Sequence, residues 1–83
     1  MSRDQNKLTL DLLATYQIKV PGELDQSWAD WSSNMQIKVE TGETGRPVTV
    51  FTTMVDQAAL QGLLRRLYAV GLPLISVTYI GDT

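Results

Sequence analysis

The chain of 83 residues contains no cysteine and no histidine. Without cysteine it can form no disulfide, no zinc–thiolate site and no thiol nucleophile. Without histidine it lacks the commonest general base and the commonest transition-metal ligand. The nine Asp and Glu residues are scattered along the chain, so spacing places no acid–base pair together. The sequence therefore predicts no catalytic residue, no metal site and no cofactor.

Strong charge of one sign and long hydrophobic runs are also missing. Seven Lys and Arg residues against nine acids give a net charge of −2, which is unlike the basic surface of a nucleic-acid-binding protein. No apolar run approaches the ~18–20 residues of a membrane span, and the N-terminal segment lacks the apolar core of a signal peptide. We expect a cytoplasmic protein that binds neither nucleic acid nor a membrane.

Four segments are predicted to be strands, the first two by their alternation of apolar and polar residues and the third by its β-branched residues. They are residues 14–20, 35–41, 48–55 and 74–80. Residues 1–13 precede this pattern and are expected to form a tail or docking segment, while residues 14–83 form one domain. A chain this small buries little of its surface, and without disulfides such domains often oligomerise, so we expect a homodimer.

Two amphipathic segments lie between these strands. Asp25 is placed to cap the first, whose apolar face has the spacing of one helical side at Leu24, Trp28 and Trp31. Asp56 is placed to cap the second, with Val55 and Leu60 as a hydrophobic staple. The second helix continues with an apolar stripe at Leu60, Leu63, Leu64 and Leu67.

The resulting order is strand, helix, strand, hairpin, strand, helix, strand. Because strand–helix–strand crossovers are right-handed, two of them joined by a hairpin at residues 42–47 predict a ferredoxin-like βαββαβ sandwich. This α+β fold has a four-stranded antiparallel sheet with two helices on one face. A short first helix is the alternative, since Trp, Ser and Asn are weak helix formers.

Two blocks of the chain resemble a family of small bacterial proteins with no assigned activity. They are V-P-G-E-L-D-Q-S-W-A-D-W (residues 20–31) and D-Q-A-A-L-Q-G-L-L-R-R-L-Y-A-V-G-L-P-L-I-S-V (residues 56–77). The second contains the motif D-Q-A-A-L-x-G-L-L-R-R-L followed by G-L-P-L-I-S-V. The resemblance implies a ferredoxin-like fold and no known reaction. Relatives often carry His where this chain has Gln61, so no role for that His transfers.

Candidate binding residues come from three places. Trp28 and Trp31 either pack in the core or line a pocket for a small organic ligand, and Trp31, near the helix end, is expected to be the more exposed. On the sheet, alternation favours an inward row and an outer face. The predicted inward residues are Tyr16, Ile18, Ile37, Val39, Val48 and Val50. The predicted outer residues are Thr15, Gln17, Lys19, Gln36, Lys38, Thr49, Phe51, Thr53, Ser76 and Thr78.

This polar outer face with its single Phe51 is either solvated or the contact of a sheet-to-sheet dimer. The third place is the back of the second helix, where Ala58 and Gly62 form a smooth strip beside Arg65 and Arg66. The arginines alone are typical of a solvated helix face. A glycine in mid-helix costs about 1 kcal/mol relative to alanine, so the strip is a candidate for close approach by another backbone or an anionic group.

Together these features predict a non-enzymatic binding or protein-interaction module that acts as a homodimer, with another protein as a further possible partner. The alternative is a small-ligand-binding protein or a cofactor-independent enzyme of the dimeric α/β-barrel type.

The substitution Gly62→Ala separates the two interpretations of the helix back. On a solvated helix it raises the free energy of unfolding by roughly 0.5–1 kcal/mol. If the strip is an interface, the added methyl group weakens self-association instead. Denaturant unfolding and sedimentation of the same variant give both readings.

Overall fold

The computed structural model describes residues 10–31 and 35–81 and is α+β, with an open four-stranded antiparallel sheet and one α-helix. The strands are β1 (Ala14–Pro21), β2 (Gln36–Thr41), β3 (Pro47–Val55) and β4 (Ser76–Gly81). The helix α1 spans Gln57–Ala69 between β3 and β4. The strand order across the sheet is β2-β3-β1-β4, so β1 and β3 are central and β2 and β4 are the edges.

The prediction of two α-helices is wrong for the described residues. The segment between β1 and β2 forms a six-residue 3₁₀ helix, Gln26–Trp31. The Asp25 carboxylate accepts a hydrogen bond from the Ser27 backbone N–H at 3.0 Å and also contacts the Ser27 hydroxyl. This local turn competes with α-helical hydrogen bonding, and the poor helix propensity of Ser, Asp and Trp does not overcome it. Ser32, Ser33 and Asn34, where the sequence predicts that this helix ends, lie outside the described residues.

The predicted boundaries of α1 are confirmed by its caps. The Asp56 carboxylate accepts a hydrogen bond from the Ala59 N–H at 2.9 Å, and both members of the Val55–Leu60 staple are buried. At the other end Gly71 has φ +84°, a conformation that favours glycine. The N–H groups of Gly71 and Leu72 donate to the carbonyls of Tyr68 and Leu67, which satisfies the last turn of the helix.

The core lies between the sheet and α1. Ile18 and Phe51 face each other across the two central strands and are fully buried. The remaining members are Ala14, Tyr16, Val20, Met35, Val55, Leu60, Leu63 and Leu67, with Leu24, Trp28, Ile37, Ala59, Leu64 and Leu72 packed around them.

The predicted orientation of β3 is wrong. Phe51 lies in the core, whereas Val48 and Val50, which were expected to face inward, lie on the outer face. Both sets of alternate positions in β3 are largely apolar or β-branched, so alternation within the strand does not choose between them. Val50 is nonetheless only 2% exposed. It pairs with Lys19 on one side and Lys38 on the other, whose aliphatic stems are placed to cover it.

The reversed orientation buries Thr49 and Thr53 on the core side. Their hydroxyl groups differ in hydrogen bonding. The Thr49 hydroxyl donates to the Gly22 carbonyl at 2.7 Å and accepts from the Leu24 N–H at 3.0 Å. It thereby fastens the loop after β1 to the centre of the sheet. The Thr53 hydroxyl is buried with no hydrogen-bond partner among the described residues. Burying a polar group without a partner costs free energy.

The effect of the two hydroxyl groups on stability can be compared by making the same substitution at each threonine. Thr53→Val should raise the free energy of unfolding by about 1 kcal/mol, because an unsatisfied hydroxyl is replaced by a methyl group of similar size. Thr49→Val should lower it by about 1–3 kcal/mol, because the Leu24 N–H and Gly22 carbonyl lose their partner. Urea unfolding of both variants checks this, and equal losses of stability would contradict it.

Candidate functional site

The two edge strands differ in charge. β2 carries Lys38 and Glu40, and Glu40 Oε1 lies 3.9 Å from Lys19 Nζ on the sheet. β4, with the sequence S-V-T-Y-I-G, carries no charge. Charged side chains on an edge strand oppose pairing with another chain, whereas an uncharged edge leaves its backbone N–H and C=O groups available for it. The sheet therefore has one edge strand with charged side chains and one without.

The unprotected edge is also the most apolar exposed part of the described chain. Val77 is 40% exposed, Tyr79 45% and Ile80 55%, and the two residues before the strand, Leu74 and Ile75, are exposed as well. We call these five residues and Ser76, Thr78 and Gly81 the β4 edge. Isolated exposed apolar residues are normal, but a contiguous group marks an interaction surface.

The inner side of β4 meets the core at its join with β1. Val77 lies opposite Ile18, and Tyr79 lies opposite Tyr16, with the two tyrosine ring centroids 5.8 Å apart. Among the described elements, α1 packs against β3 and the 3₁₀ helix packs against β2. On the inner side of β4, Val77 and Tyr79 remain 40% and 45% exposed.

Two of the aromatic residues singled out from the sequence contact each other. The Trp28 and Phe51 ring centroids lie 5.9 Å apart with the ring planes tilted by 51°. Arg66 Cζ lies 5.6 Å from the Trp28 ring centroid. Trp28 is half-buried and packs against the core. The Trp31 side chain lies outside the described residues, so its predicted exposure remains a prediction.

The back of α1 carries the small residues and arginines that were singled out from the sequence. No contact among the described residues explains why the small residues stand there. Ala58, Arg65 and Arg66 are exposed and Gly62 is half-buried. Of this set only Arg66 joins other candidate residues, through Trp28. The expectation that Phe51 anchors a contact on the outer face is wrong, because Phe51 is fully buried beneath α1.

A depression of about 400 Å³ lies at the hairpin end of the outer face, away from Trp28. Its lining residues are Lys19, Glu40, Thr41, Gly42, Glu43, Val48 and Ile75. Within residues 10–31 and 35–81, no three acidic side chains come together in a way that could hold a metal ion. In the same part of the chain, no helix is long and apolar enough to cross a membrane.

Comparison with known proteins gives one finding that fits this geometry. The profile of the family described as "Domain of unknown function (DUF8691)" matches residues 15–78, which run from the start of β1 into β4. The chain belongs to this family. The match covers β1 from its second residue, the 3₁₀ helix, β2, β3 and α1, and it ends within β4. Comparisons with the curated proteins and with the solved structures gave no match.

The β4 edge was missed as a candidate site, although the sequence contains a signal for it. No charged residue stands between Arg66 and Asp82, and the interval contains an entire strand. A half-exposed edge strand would ordinarily carry charge on its solvent side. The sequence of residues 67–81 thus already shows that this strand carries no charge.

The contribution of the Arg66–Trp28 contact to stability can be measured with Arg65 as the control. Arg66→Gln should lower the free energy of unfolding by about 0.5–1 kcal/mol through loss of the cation–π interaction. Arg65→Gln removes the same charge from the same turn and should change stability by less. In a Trp28→Leu background the effect of Arg66→Gln should disappear. An Arg66 effect that persists without the indole would assign the arginine a different role.

Proposed function

We propose that this protein is a non-enzymatic protein-interaction module that acts as a homodimer, with two copies joined through their β4 edges. The observation that carries the proposal is the uncharged, apolar β4 edge on a sheet whose other edge is charged. An open strand edge recognises an extended backbone, and this one has no charge with which to select a charged peptide. The β4 strand of a second copy offers an extended backbone and carries no charge.

The exposed area supports the same partner. Ile75 is 53% exposed, Val77 40% and Ile80 55%, so pairing along this edge would remove apolar surface from water. A domain of this size also gains proportionally more than a large one from burying that surface.

The proposal includes two finer points. The first is a ferredoxin-like architecture in which the 3₁₀ turn takes the place of the first helix. The second is the bacterial cytoplasm as the location, which the resemblance to small bacterial proteins suggests. The alternative of small-ligand binding or cofactor-independent catalysis has no comparable observation behind it. Trp28, its main candidate, is occupied by contacts with Phe51 and Arg66.

The substitution Thr78→Lys tests the proposal. Thr78 is exposed in the middle of β4, so a lysine there should leave the fold intact and bring two like charges together at the join. We expect the dimer Kd to rise about tenfold or more. The control is Thr41→Lys, the same change at an exposed position on the β2 edge, which should leave the dimer unchanged.

Sedimentation at high micromolar concentration provides the measurement, with circular dichroism confirming that each variant is folded. The unmodified protein should sediment at twice its 9.2 kDa monomer mass. Sedimentation as a monomer, or equal dimerisation by both lysine variants, would refute the proposal.

A further inference from the structure

We infer that the end of α1 is a second interaction surface, which binds an acidic segment of another protein and takes one of its apolar side chains between Tyr68 and Pro73. We call Tyr68, Val70, Gly71, Leu72 and Pro73 the α1 end patch. The patch contains no residue of β4, so the inference does not depend on the proposed homodimer. It is based on the exposure, the shape and the charge of this surface.

The side chains of the α1 end patch are strongly exposed. Among the described residues, Tyr68 is the most exposed large hydrophobic residue at 83%, and Val70 is 58% exposed. Arg66 lies over the Trp28 ring, and residues two positions apart are about 200° apart around a helix axis. Tyr68 therefore lies on the flank of α1 away from Trp28. Tyrosine is enriched in protein–protein interfaces, because its ring offers a large apolar contact and a polar tip.

The turn that ends α1 gives the patch its shape. Gly71 has φ +84°, and its N–H donates to the Tyr68 carbonyl at 2.9 Å, which holds the turn against the helix. An open depression of about 340 Å³ follows, lined by Tyr68, Gly71, Leu72 and Pro73. None of the lining side chains is charged, and Pro73 has no N–H to donate. The depression therefore suits an apolar side chain.

The charge beside the patch favours an acidic partner. From Gln57 to Gly81 the only charged residues are Arg65 and Arg66. Arg65 precedes Tyr68 by three positions, so the two side chains are neighbours on the helix surface. Arg65 is exposed and forms no ion pair with any described residue, whereas Arg66 lies over Trp28. An apolar side chain with carboxylates close to it in sequence complements both the depression and the arginine.

The same features disfavour a second copy of this chain as the partner. If the patches of two copies met about a two-fold axis, the two Arg65 side chains would approach each other, and like charges oppose association. If the patch met a different surface of a second copy, the contact would repeat from copy to copy and build rings or open filaments. A segment of another protein binds without either consequence.

A synthetic peptide Asp-Asp-Phe-Asp-Asp, blocked at both ends, is the probe for this surface. Titrated into the isotope-labelled protein, it should give saturable shifts of the amide NMR signals of Arg65, Tyr68, Gly71 and Leu72. Peptides with Lys in place of each Asp, or with Ser in place of Phe, should bind about tenfold or more weakly, because they lose the charge or the apolar anchor. The absence of saturable shifts at these residues would overturn the inference.

Two variants test the residues of the surface. Arg65→Glu should raise the Kd of the peptide about tenfold or more by reversing the charge, and Tyr68→Ala should raise it by a similar factor by removing one wall of the depression. Arg46→Glu is the matched control, since it makes the same change of charge at an exposed position of the hairpin. It should change the Kd by less than about twofold. Equal weakening by Arg65→Glu and Arg46→Glu would overturn the inference.

Two sedimentation measurements exclude other uses of the patch. The protein should not bind vesicles of phosphatidylcholine with phosphatidylserine, and vesicle binding that Arg65→Glu abolishes would overturn the inference in favour of a membrane surface. In sedimentation without peptide, Tyr68→Ala should dimerise like the unmodified protein. Loss of the dimer together with peptide binding would overturn the inference and place Tyr68 in the contact between copies.

Discussion

The junction between β3 and α1 is the constraint on which the rest of this structure depends. Val55 must face inward to meet Leu60 on the first turn of the helix, and Asp56 must follow at once to cap that turn. Because side chains alternate along a strand, an inward Val55 also turns Phe51 inward. Phe51 then meets Ile18 across the central pair of strands and supports Trp28 beside them. One short stretch of chain thus sets the orientation of the central strand, the start of the helix and the centre of the core.

The small number of helical elements leaves apolar residues of the sheet exposed. In the part of the chain that the structure describes, one α-helix packs on the sheet, and a 3₁₀ turn stands where a second helix was expected. The two edge strands differ in charge: β2 carries Lys38 and Glu40, while β4 carries no charged residue. An edge without charge is stable in solution when another strand covers it. The function that we propose follows from the exposed apolar residues of β4 and from the different charge of the two edge strands. It does not depend on any group of reactive side chains.

Much of the fold could be predicted from residue patterns, because the signals are local. The caps of α1, its leucine stripe, the four strands and the hairpin all rest on residues within a few positions of each other. Three features were missed. The 3₁₀ helix depends on whether local Asp25–Ser27 hydrogen bonds win over helical ones, a balance of small energies. The orientation of β3 was ambiguous within the strand, although the Val55–Leu60 staple already implied it. The β4 edge was missed because its signal is an absence of charge, and a search for reactive side chains does not find such a segment.

By itself, the sequence determined the class of the protein: a small α+β domain with four antiparallel strands and one strongly capped helix, without the side chains that most catalytic and metal sites use. These properties follow from composition and from interactions between near neighbours. Only the tertiary structure decided which strands lie at the edges, which face of β3 is buried and which apolar residues stay exposed. Those depend on contacts between residues far apart in the chain, such as Ile18 with Phe51 and Val77, which no local pattern specifies.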